Sequence, residues 1–252
     1  MLKKLFRPRP VAPDPPRAPA DSRIYAVGDI HGRVDLLRAL HARIREDAAG
    51  AAVARKVVVY LGDYVDRGES SRQVIDLLLD EPLAGFDSVF LSGNHEEMML
   101  GFLESPAMGA IWLHNGGDAT LFSYGISIAG GSSADQRQAA MHHALREALP
   151  PRHLAFLQGL RLYHVEGGYL FVHAGIQPGV PLDQQSSQDL FWIREDFLHS
   201  REDHGRCVVH GHTIVPEPEF RANRIGIDTG AFFSNRLTCL VVEGTDQRTL
   251  QT

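Results

Sequence analysis

Five short apolar runs of this 252-residue chain end in the same kind of polar loop. The runs begin at Arg23, Lys56, Val89, Tyr169 and Cys207, and they stop at GDIHG, GDYVDRG, SGNHEE, HAG and HGHT. Helical spacing of apolar residues follows the first three, so the pattern predicts an α/β domain with at least one largely parallel sheet. Because ligands bind beyond the carboxyl ends of the strands in such sheets, the five endings predict one shared site.

The order of the segments predicts one domain behind a proline-rich tail. Residues 1–21 hold six of the fourteen prolines, and a segment so poor in apolar residues is expected to be a disordered tail. The domain is expected over 22–252. Residues 105–160 interrupt the alternation of strands and helices and predict a helical cap insertion. The runs EFR, RIGID and LTCLVVE after residue 212 are short strands that would complete a second sheet.

Composition excludes several classes of protein. The N-terminal segment lacks the apolar core of a signal peptide and no run is long enough to span a bilayer, so we expect a cytoplasmic protein without stable membrane association. The net charge of −6 without a basic stripe argues against a nucleic-acid partner. Cys207 and Cys239 lie in apolar runs and are expected to be buried thiols.

The strand endings carry six candidate metal ligands, which are Asp29, His31, Asp63, Asn94, His173 and His212. A mixed set of oxygen and imidazole donors suits Mn, Fe, Zn or Co better than Mg or Ca. Six donors exceed one tetrahedral site, and they fit two metals bridged by the carboxylate of Asp63.

The motifs GDIHG, GDYVDRG, GNHE, FVHAG and GHT, in this order, resemble those of the calcineurin-like metallophosphoesterases. More narrowly, they resemble the phosphoprotein phosphatases of the bacterial serine/threonine type. The resemblance runs from about residue 22 to 243 and includes WLHNGG, DLFWIR and IDTGA. It implies a four-layer α-β-β-α sandwich of two mixed sheets with a helical cap. It also implies a first metal on Asp29, His31 and Asp63, and a second on Asp63, Asn94, His173 and His212.

The resemblance further implies the residues of the chemistry. His95 would be the general acid, paired with Asp66, since a carboxylate partner favours the protonated imidazole. Arg67 and Arg194 would hold the phosphoryl oxygens as charge develops. The implied nucleophile is a metal-bridging hydroxide without a covalent protein intermediate, and Mn²⁺ is the expected metal, with Fe or Zn as alternatives.

The leading prediction is a serine/threonine protein phosphatase acting on phosphoproteins or small phosphoesters, with phosphotyrosine left open. The alternative is a symmetrical diadenosine tetraphosphate hydrolase, because such enzymes share all five motifs and differ in the cap. A nuclease of the wider superfamily would carry a histidine where this chain has Ile214. A binding module on an inactive phosphatase fold would have lost metal ligands, whereas this chain retains every expected one.

Some polar residues remain outside these assignments. His41 and His153 lie in helical or polar surroundings and are predicted to be surface residues. Asp228, in IDTGA, has two possible interpretations, a structural role in a turn and a supporting role beside the site.

Overall fold

The computed structural model describes residues 15–127 and 133–252 and arranges them as two mixed β-sheets flanked by helices. The strands are β1 (Ser22–Val27), β2 (Arg55–Tyr60), β3 (Asp87–Phe90), β4 (Tyr163–Glu166), β5 (Tyr169–Val172), β6 (Cys207–His210), β7 (Glu219–Phe220), β8 (Arg224–Gly226), β9 (Thr238–Glu243) and β10 (Asp246–Gln251). The helices are α1 (Val34–Ala49), α2 (Ser71–Asp80), α3 (Asn94–Glu104), α4 (Gly109–Trp112), α5 (Asp118–Ser123), α6 (Ala134–Ala148), α7 (Pro151–Gln158), α8 (Ser187–Trp192), α9 (Glu195–Leu198) and α10 (Ala231–Ser234). Short 3₁₀ turns lie at Pro106–Met108 and Leu182–Gln184, and a π turn at Leu113–Gly117.

The two sheets contain five strands each and both combine parallel and antiparallel pairs. The first has the order β10-β9-β1-β2-β3, and the second has the order β4-β5-β6-β8-β7. The strands β1, β2 and β3 pair in parallel, as do β5, β6 and β8. The predicted α/β class is therefore confirmed. The run LTCLVVE, expected in the second sheet, instead forms β9 and pairs with β1 in the first sheet.

The molecule has four layers, because each sheet buries both faces. One core lies between the sheets and includes Ile24, Val59, Phe171 and Val209. A second core packs the outer face of the first sheet against α1, α2 and α3, and a third packs the outer face of the second sheet against α8 and α9. Within residues 15–127 and 133–252, no helix has the length and apolar character needed to span a bilayer.

The helices α4 to α7 lie in residues 105–160, the predicted cap insertion, which we call the cap. Their apolar side chains, among them Trp112, Leu121 and Leu145, join the core that contains α2 and α3. The chain returns beside the edge strand β3, where Leu91 forms an isolated parallel bridge with Arg161. Hydrogen bonds to Asp66 and Arg67 place the cap against the loop that follows β2.

Two observations differ from the sequence predictions. Residues 1–14 of the predicted tail lie outside the described residues, but its last part packs on the domain. The Ala18 N–H donates to the Gly244 carbonyl at 2.8 Å, and Ala18 is buried. His41 and His153, predicted at the surface, are also buried, beside Tyr60 and Tyr124.

Candidate active site

The loops that follow β1, β2, β3, β5 and β6 bring the predicted donors to one edge of the two sheets. Asp29 and His31 follow β1, Asp63 follows β2, Asn94 begins α3 after β3, His173 follows β5, and His212 follows β6. All six side chains are buried. The strand order explains this meeting, because the carboxyl ends of parallel neighbours share one edge.

Asp63 lies at the centre of the donor set. Its Oδ2 is 3.4 Å from Nε2 of His31, and its Oδ1 is 3.5 Å from Nε2 of His173. The two carboxylate oxygens therefore face different histidines. Asn94 stands on the His173 side, where its Oδ1 is 2.9 Å from Nε2 of His173 and 3.0 Å from Nδ1 of His212. This is the arrangement that a carboxylate shared by two metals requires.

The tautomers of the histidines indicate that a cation belongs between these groups. Nδ1 of His173 lies 2.9 Å from the Leu61 carbonyl, and Nδ1 of His31 lies 2.9 Å from the Val65 carbonyl. Each ring donates its Nδ1 proton to a carbonyl, so in the neutral form its Nε2 lone pair faces an oxygen acceptor. Burial lowers the pKa of His31 to about 3 and lowers the pKa of His173, so the neutral form is favoured. The donor set thus fits a pair of divalent ions.

Asp29 supports the same conclusion. Its Oδ2 accepts the backbone N–H of His212 at 2.9 Å, whereas its buried Oδ1 has no hydrogen-bond partner among the described residues. Burial, followed by the nearby Asp228 and Asp63 carboxylates, raises the pKa of Asp29. A cation would offset the electrostatic repulsion between these carboxylates. Gly211 permits the approach, because a Cβ there would lie 2.0 Å from Oδ1 of Asp29.

The most compact groups of donor atoms differ slightly from the implied ligand sets. One group is Asp63 with His173 and His212, as the resemblance implies. The other joins His31 and Asp63 with His95, whose Nε2 is 3.9 Å from Oδ2 of Asp63. That Asp29 is a metal ligand and that His95 is the general acid both stay predictions.

His95 forms a close pair with Asp66. Its Nδ1 lies 2.7 Å from Oδ2 of Asp66, and both side chains are buried. Burial alone would lower the pKa of His95, but Asp63 and Asp66 outweigh it and raise that pKa. Burial also raises the pKa of Asp66, although its hydrogen bond to His95 opposes the shift. Nε2 of His95, on the other side of the ring, lies between Oδ2 of Asp63 at 3.9 Å and Nη2 of Arg67 at 3.2 Å.

The two predicted arginines lie at the exposed mouth of the site. Nη2 of Arg67 is 3.2 Å from Nε2 of His95, and its guanidinium carbon lies 4.8 Å from the ring centroid of Phe232. Nη1 of Arg194 donates to Oγ1 of Thr213 at 3.2 Å, next to His212. Both positive charges therefore stand where an anionic substrate would enter.

Several site residues adopt backbone conformations that are rare outside glycine. The residues with positive φ are His31 (45°), Asp63 (51°), Asp66 (72°), Arg67 (67°) and His212 (59°). Such conformations cost on the order of 1–3 kcal/mol each and persist only where surrounding contacts impose them. These five residues lie in the loops after β1, β2 and β6, at the edge that carries the donor set.

Sequence reasoning missed three residues that support this backbone. Glu96 is fully buried, and its carboxylate accepts the N–H groups of Asp63 at 2.8 Å and of Gly93 at 2.9 Å. Glu at the third position of a helix is a capping signal that could have revealed it. Trp112 and Thr120 of the cap both donate to the Asp66 carboxylate. No local pattern predicts those long-range contacts.

Comparison with known proteins shows the family to which the chain is similar. The model of the calcineurin-like phosphoesterase family matches residues 22–233. The bis(5'-nucleosyl)-tetraphosphatase PrpE (asymmetrical) of Bacillus thuringiensis (strain Al Hakam) is 25% identical over 233 residues, which cover 85% of this chain and 88% of that protein. The corresponding protein of Bacillus mycoides (strain KBAB4) is 24% identical over the same shares.

Solved structures share the fold. A crystal structure provisionally assigned as a diadenosine tetraphosphatase superposes with a TM-score of 0.61 at 19% identity, covering 93% of this chain and 95% of that chain. A cold-active protein tyrosine phosphatase superposes with a TM-score of 0.58 at 18% identity, covering 93% and 81%. At such identities the likeness concerns the fold alone.

Proposed function

The chain belongs to the calcineurin-like phosphoesterases, and on this premise we propose that it hydrolyses phosphomonoesters of serine and threonine in proteins, with phosphotyrosine as a further substrate. The observation that carries the proposal is the carboxylate of Asp63 between His31 and His173, with the His95–Asp66 pair beside it. This geometry combines a two-metal donor set with a buried proton donor.

In this proposal each residue has a distinct role. Asp29, His31, Asp63, Asn94, His173 and His212 would hold two divalent ions, with Mn²⁺ as the expected metal. When bound, such ions supply hydroxide at neutral pH by lowering the pKa of water. Arg67 and Arg194 orient the phosphoryl group by charge-assisted hydrogen bonds. As a hydroxide oxygen bonds to phosphorus and the bond from phosphorus to the leaving oxygen breaks, His95 gives the leaving oxygen its proton, so that an alcohol departs and inorganic phosphate remains.

The surface beside the site favours a phosphopeptide over a polyphosphate. A groove between the cap and α8 exposes Met108, Ile111 and Leu162 and reaches Trp192, whose ring lies 6.2 Å from that of His212. Among residues 15–127 and 133–252, the charged residues that line this groove are Glu97 and Glu104, without a Lys or Arg. Four phosphates would be repelled there, whereas a neutral or basic peptide would be accepted.

A dinucleoside tetraphosphatase is the second candidate, because two observations favour it. The relatives named above are tetraphosphatases, and their names specify asymmetrical cleavage. In addition, Thr213, which accepts from Arg194, lines a second pocket with Arg201, Arg221 and Arg224. Such a pocket could receive the distal phosphates of a dinucleotide. Of these arginines, Arg221 and Arg224 already pair with Glu219, which weakens this alternative.

A direct comparison of substrates tests the proposal. Mn²⁺-supplemented protein is assayed on phosphoserine, phosphothreonine and phosphotyrosine peptides and on diadenosine tetraphosphate, with Asp63→Asn as the control for contaminating phosphatase. We expect kcat/KM to be at least about tenfold higher on a phosphopeptide. Higher kcat/KM on the dinucleotide would overturn the protein phosphatase proposal. The products of diadenosine tetraphosphate would then identify the cleavage: symmetrical cleavage gives two equivalents of ADP, and asymmetrical cleavage gives AMP plus ATP.

A further inference from the structure

The carboxylate of Asp66 is held by the cap as well as by His95. Nε1 of Trp112 donates to Oδ2 of Asp66 at 3.0 Å, and Oγ1 of Thr120 donates to its Oδ1 at 2.6 Å. Asp66, Trp112 and Thr120 are fully buried. With Nδ1 of His95 at 2.7 Å, three donors from three different elements converge on one carboxylate. A buried carboxylate remains ionised only where such donors replace water.

The cap also fixes the backbone of this segment. Asp66 and Arg67 are consecutive non-glycine residues with positive φ, a conformation that needs outside contacts to persist. The Asp66 N–H donates to Oγ1 of Thr120 at 2.8 Å and to Oγ of Ser71 at 3.0 Å. The Arg67 N–H donates to the Gly116 carbonyl at 3.1 Å. Residues of the cap between 112 and 120 therefore hold both Asp66 and Arg67.

We propose that Trp112 and Thr120 are positioning residues of the general acid, and that the cap orients the Asp66–His95 pair as well as covering the site. This inference rests on the proposed role of His95 in proton donation. Both side chains donate to the Asp66 carboxylate, and in this proposal they act on the reaction through Asp66. They fix the carboxylate so that Nδ1 of His95 is held and Nε2 points at the leaving group.

Substitution of Thr120 provides the test. Thr120→Val keeps the shape of the side chain but removes its hydroxyl, while Ser71 still accepts the Asp66 N–H. We expect kcat on an alkyl phosphate, a phosphoserine peptide, to fall roughly tenfold, a part of the 10²–10⁴-fold that a general acid contributes. Turnover of 4-nitrophenyl phosphate should change less than about twofold, because its acidic leaving group needs little protonation. Thr120→Ser restores the hydroxyl and should restore alkyl turnover.

Trp112→Phe gives a second variant, since it removes the N–H donor while keeping an aromatic ring. It should show the same dependence on the leaving group. Tyr124→Phe is the matched control, because it deletes a buried hydrogen bond of the cap to His153 rather than a hydrogen bond to Asp66. Equal loss on both phosphates in Thr120→Val and Trp112→Phe, or the same selective loss in Tyr124→Phe, would overturn the inference.

The variant His95→Asn separates this inference from the proposed function. Adding Thr120→Val to His95→Asn should cause no further loss on the alkyl phosphate, because both changes act on one proton transfer. If His95→Asn alone lowers both activities equally, the general-acid role itself fails. If His95→Asn is selective but the Thr120 and Trp112 variants are not, only the positioning role is overturned.

Discussion

At the scale of single residues, Asp63 joins the two halves of the candidate metal centre. Its two carboxylate oxygens face His31 on one side and His173 on the other. Burial alone would raise the pKa of Asp63, but the surrounding imidazoles outweigh burial and lower it, and among them His95 is the one whose own pKa is raised. Asp63 is thus ionised and can share one negative charge between two cations.

Replacing Asp63 by Asn should therefore weaken both metal sites together. The amide keeps the shape of the side chain but provides one neutral oxygen in place of two charged ones. After equilibration with Mn²⁺ and gel filtration, we expect the bound metal to fall from about two equivalents to well below one. Asp87→Asn, at an exposed carboxylate, serves as the control. Retention of one full equivalent would show that Asp63 serves one metal only.

His95→Asn should retain metal and lose activity selectively. Asn94 is assigned to the metal, so removing the neighbouring imidazole takes away a proton donor and no ligand. Alkyl phosphate turnover should fall by about 10²–10⁴-fold, and aryl phosphate turnover much less. Asp66→Asn should have a smaller effect of the same kind, and the two losses should not add, since the pair acts as a unit. Metal analysis of both variants and rates on the two phosphates check this, and loss of metal from His95→Asn would make His95 a ligand.

The sequence predicted these residues because short motifs at strand ends carry them. Nine of the ten predicted site residues directly follow β1, β2, β3, β5 or β6, whereas Arg194 lies between α8 and α9 and reaches Thr213. Trp112 and Thr120 were not predicted, since they reach Asp66 across 46 and 54 residues of chain. Spacing along a sequence encodes neighbours on one element, whereas contacts between elements depend on how the elements pack.

At the scale of elements, burial decided which strands could be predicted. The run YLFV is fully buried and forms β5 over the predicted residues. The strands β4 (YHVE) and β10 (DQRTLQ) were missed because each is an edge strand with few fully buried side chains. A polar edge strand lacks the apolar run that marks a central strand of a parallel sheet. The placement of β9 beside β1 likewise follows from pairing over more than 200 residues, which no local pattern specifies.

The packing of α1 on β2 leads to a prediction about pH. His41 of α1 is buried, and its Nε2 lies 2.8 Å from the hydroxyl of Tyr60 in β2. Burial, assisted by Arg45 and Arg38, lowers the pKa of His41 to about 4. The unfolded chain therefore binds a proton at a higher pH than the folded chain does. His41 costs no stability above about pH 6.5, and it destabilises the fold progressively as pH falls from there to about 4.

His41→Gln should remove this part of the acid sensitivity, because the amide can accept from Tyr60 but does not titrate. Between pH 7.5 and 5.0, the free energy of unfolding should fall by about 2 kcal/mol less in the variant than in the wild type. Urea unfolding at the two pH values measures the difference. His143→Gln, at an exposed histidine of α6, is the matched control. An equal pH dependence of the free energy of unfolding in wild type and His41→Gln would contradict the assignment of this acid sensitivity to His41.

At the scale of the whole molecule, the segment before β1 joins the two sheets. The Arg17 carbonyl accepts the Gly168 N–H at 2.8 Å just before β5, while Ala18 bonds to Gly244 in the turn between β9 and β10. Composition alone assigned residues 1–21 to a tail, because prolines and charges dominate them. Backbone hydrogen bonds, which do not depend on side-chain character, attach its last part to the domain.

Two truncations should therefore differ in stability and agree in catalysis. Removing residues 1–14 should change neither property. Removing residues 1–20 also deletes the hydrogen bonds of Arg17 and Ala18 and exposes the surface that Ala18 covers, so the free energy of unfolding should fall by about 1–3 kcal/mol. Turnover of both truncations should stay within about twofold of the full chain, since these contacts lie between strand starts and a distant turn rather than at the site. Urea unfolding and kcat, measured on the same preparations, test the expected stability and the expected turnover. A large loss of kcat in a folded 1–20 deletion would show that the segment supports the site, and equal unfolding free energies would show that its contacts do not stabilise the domain.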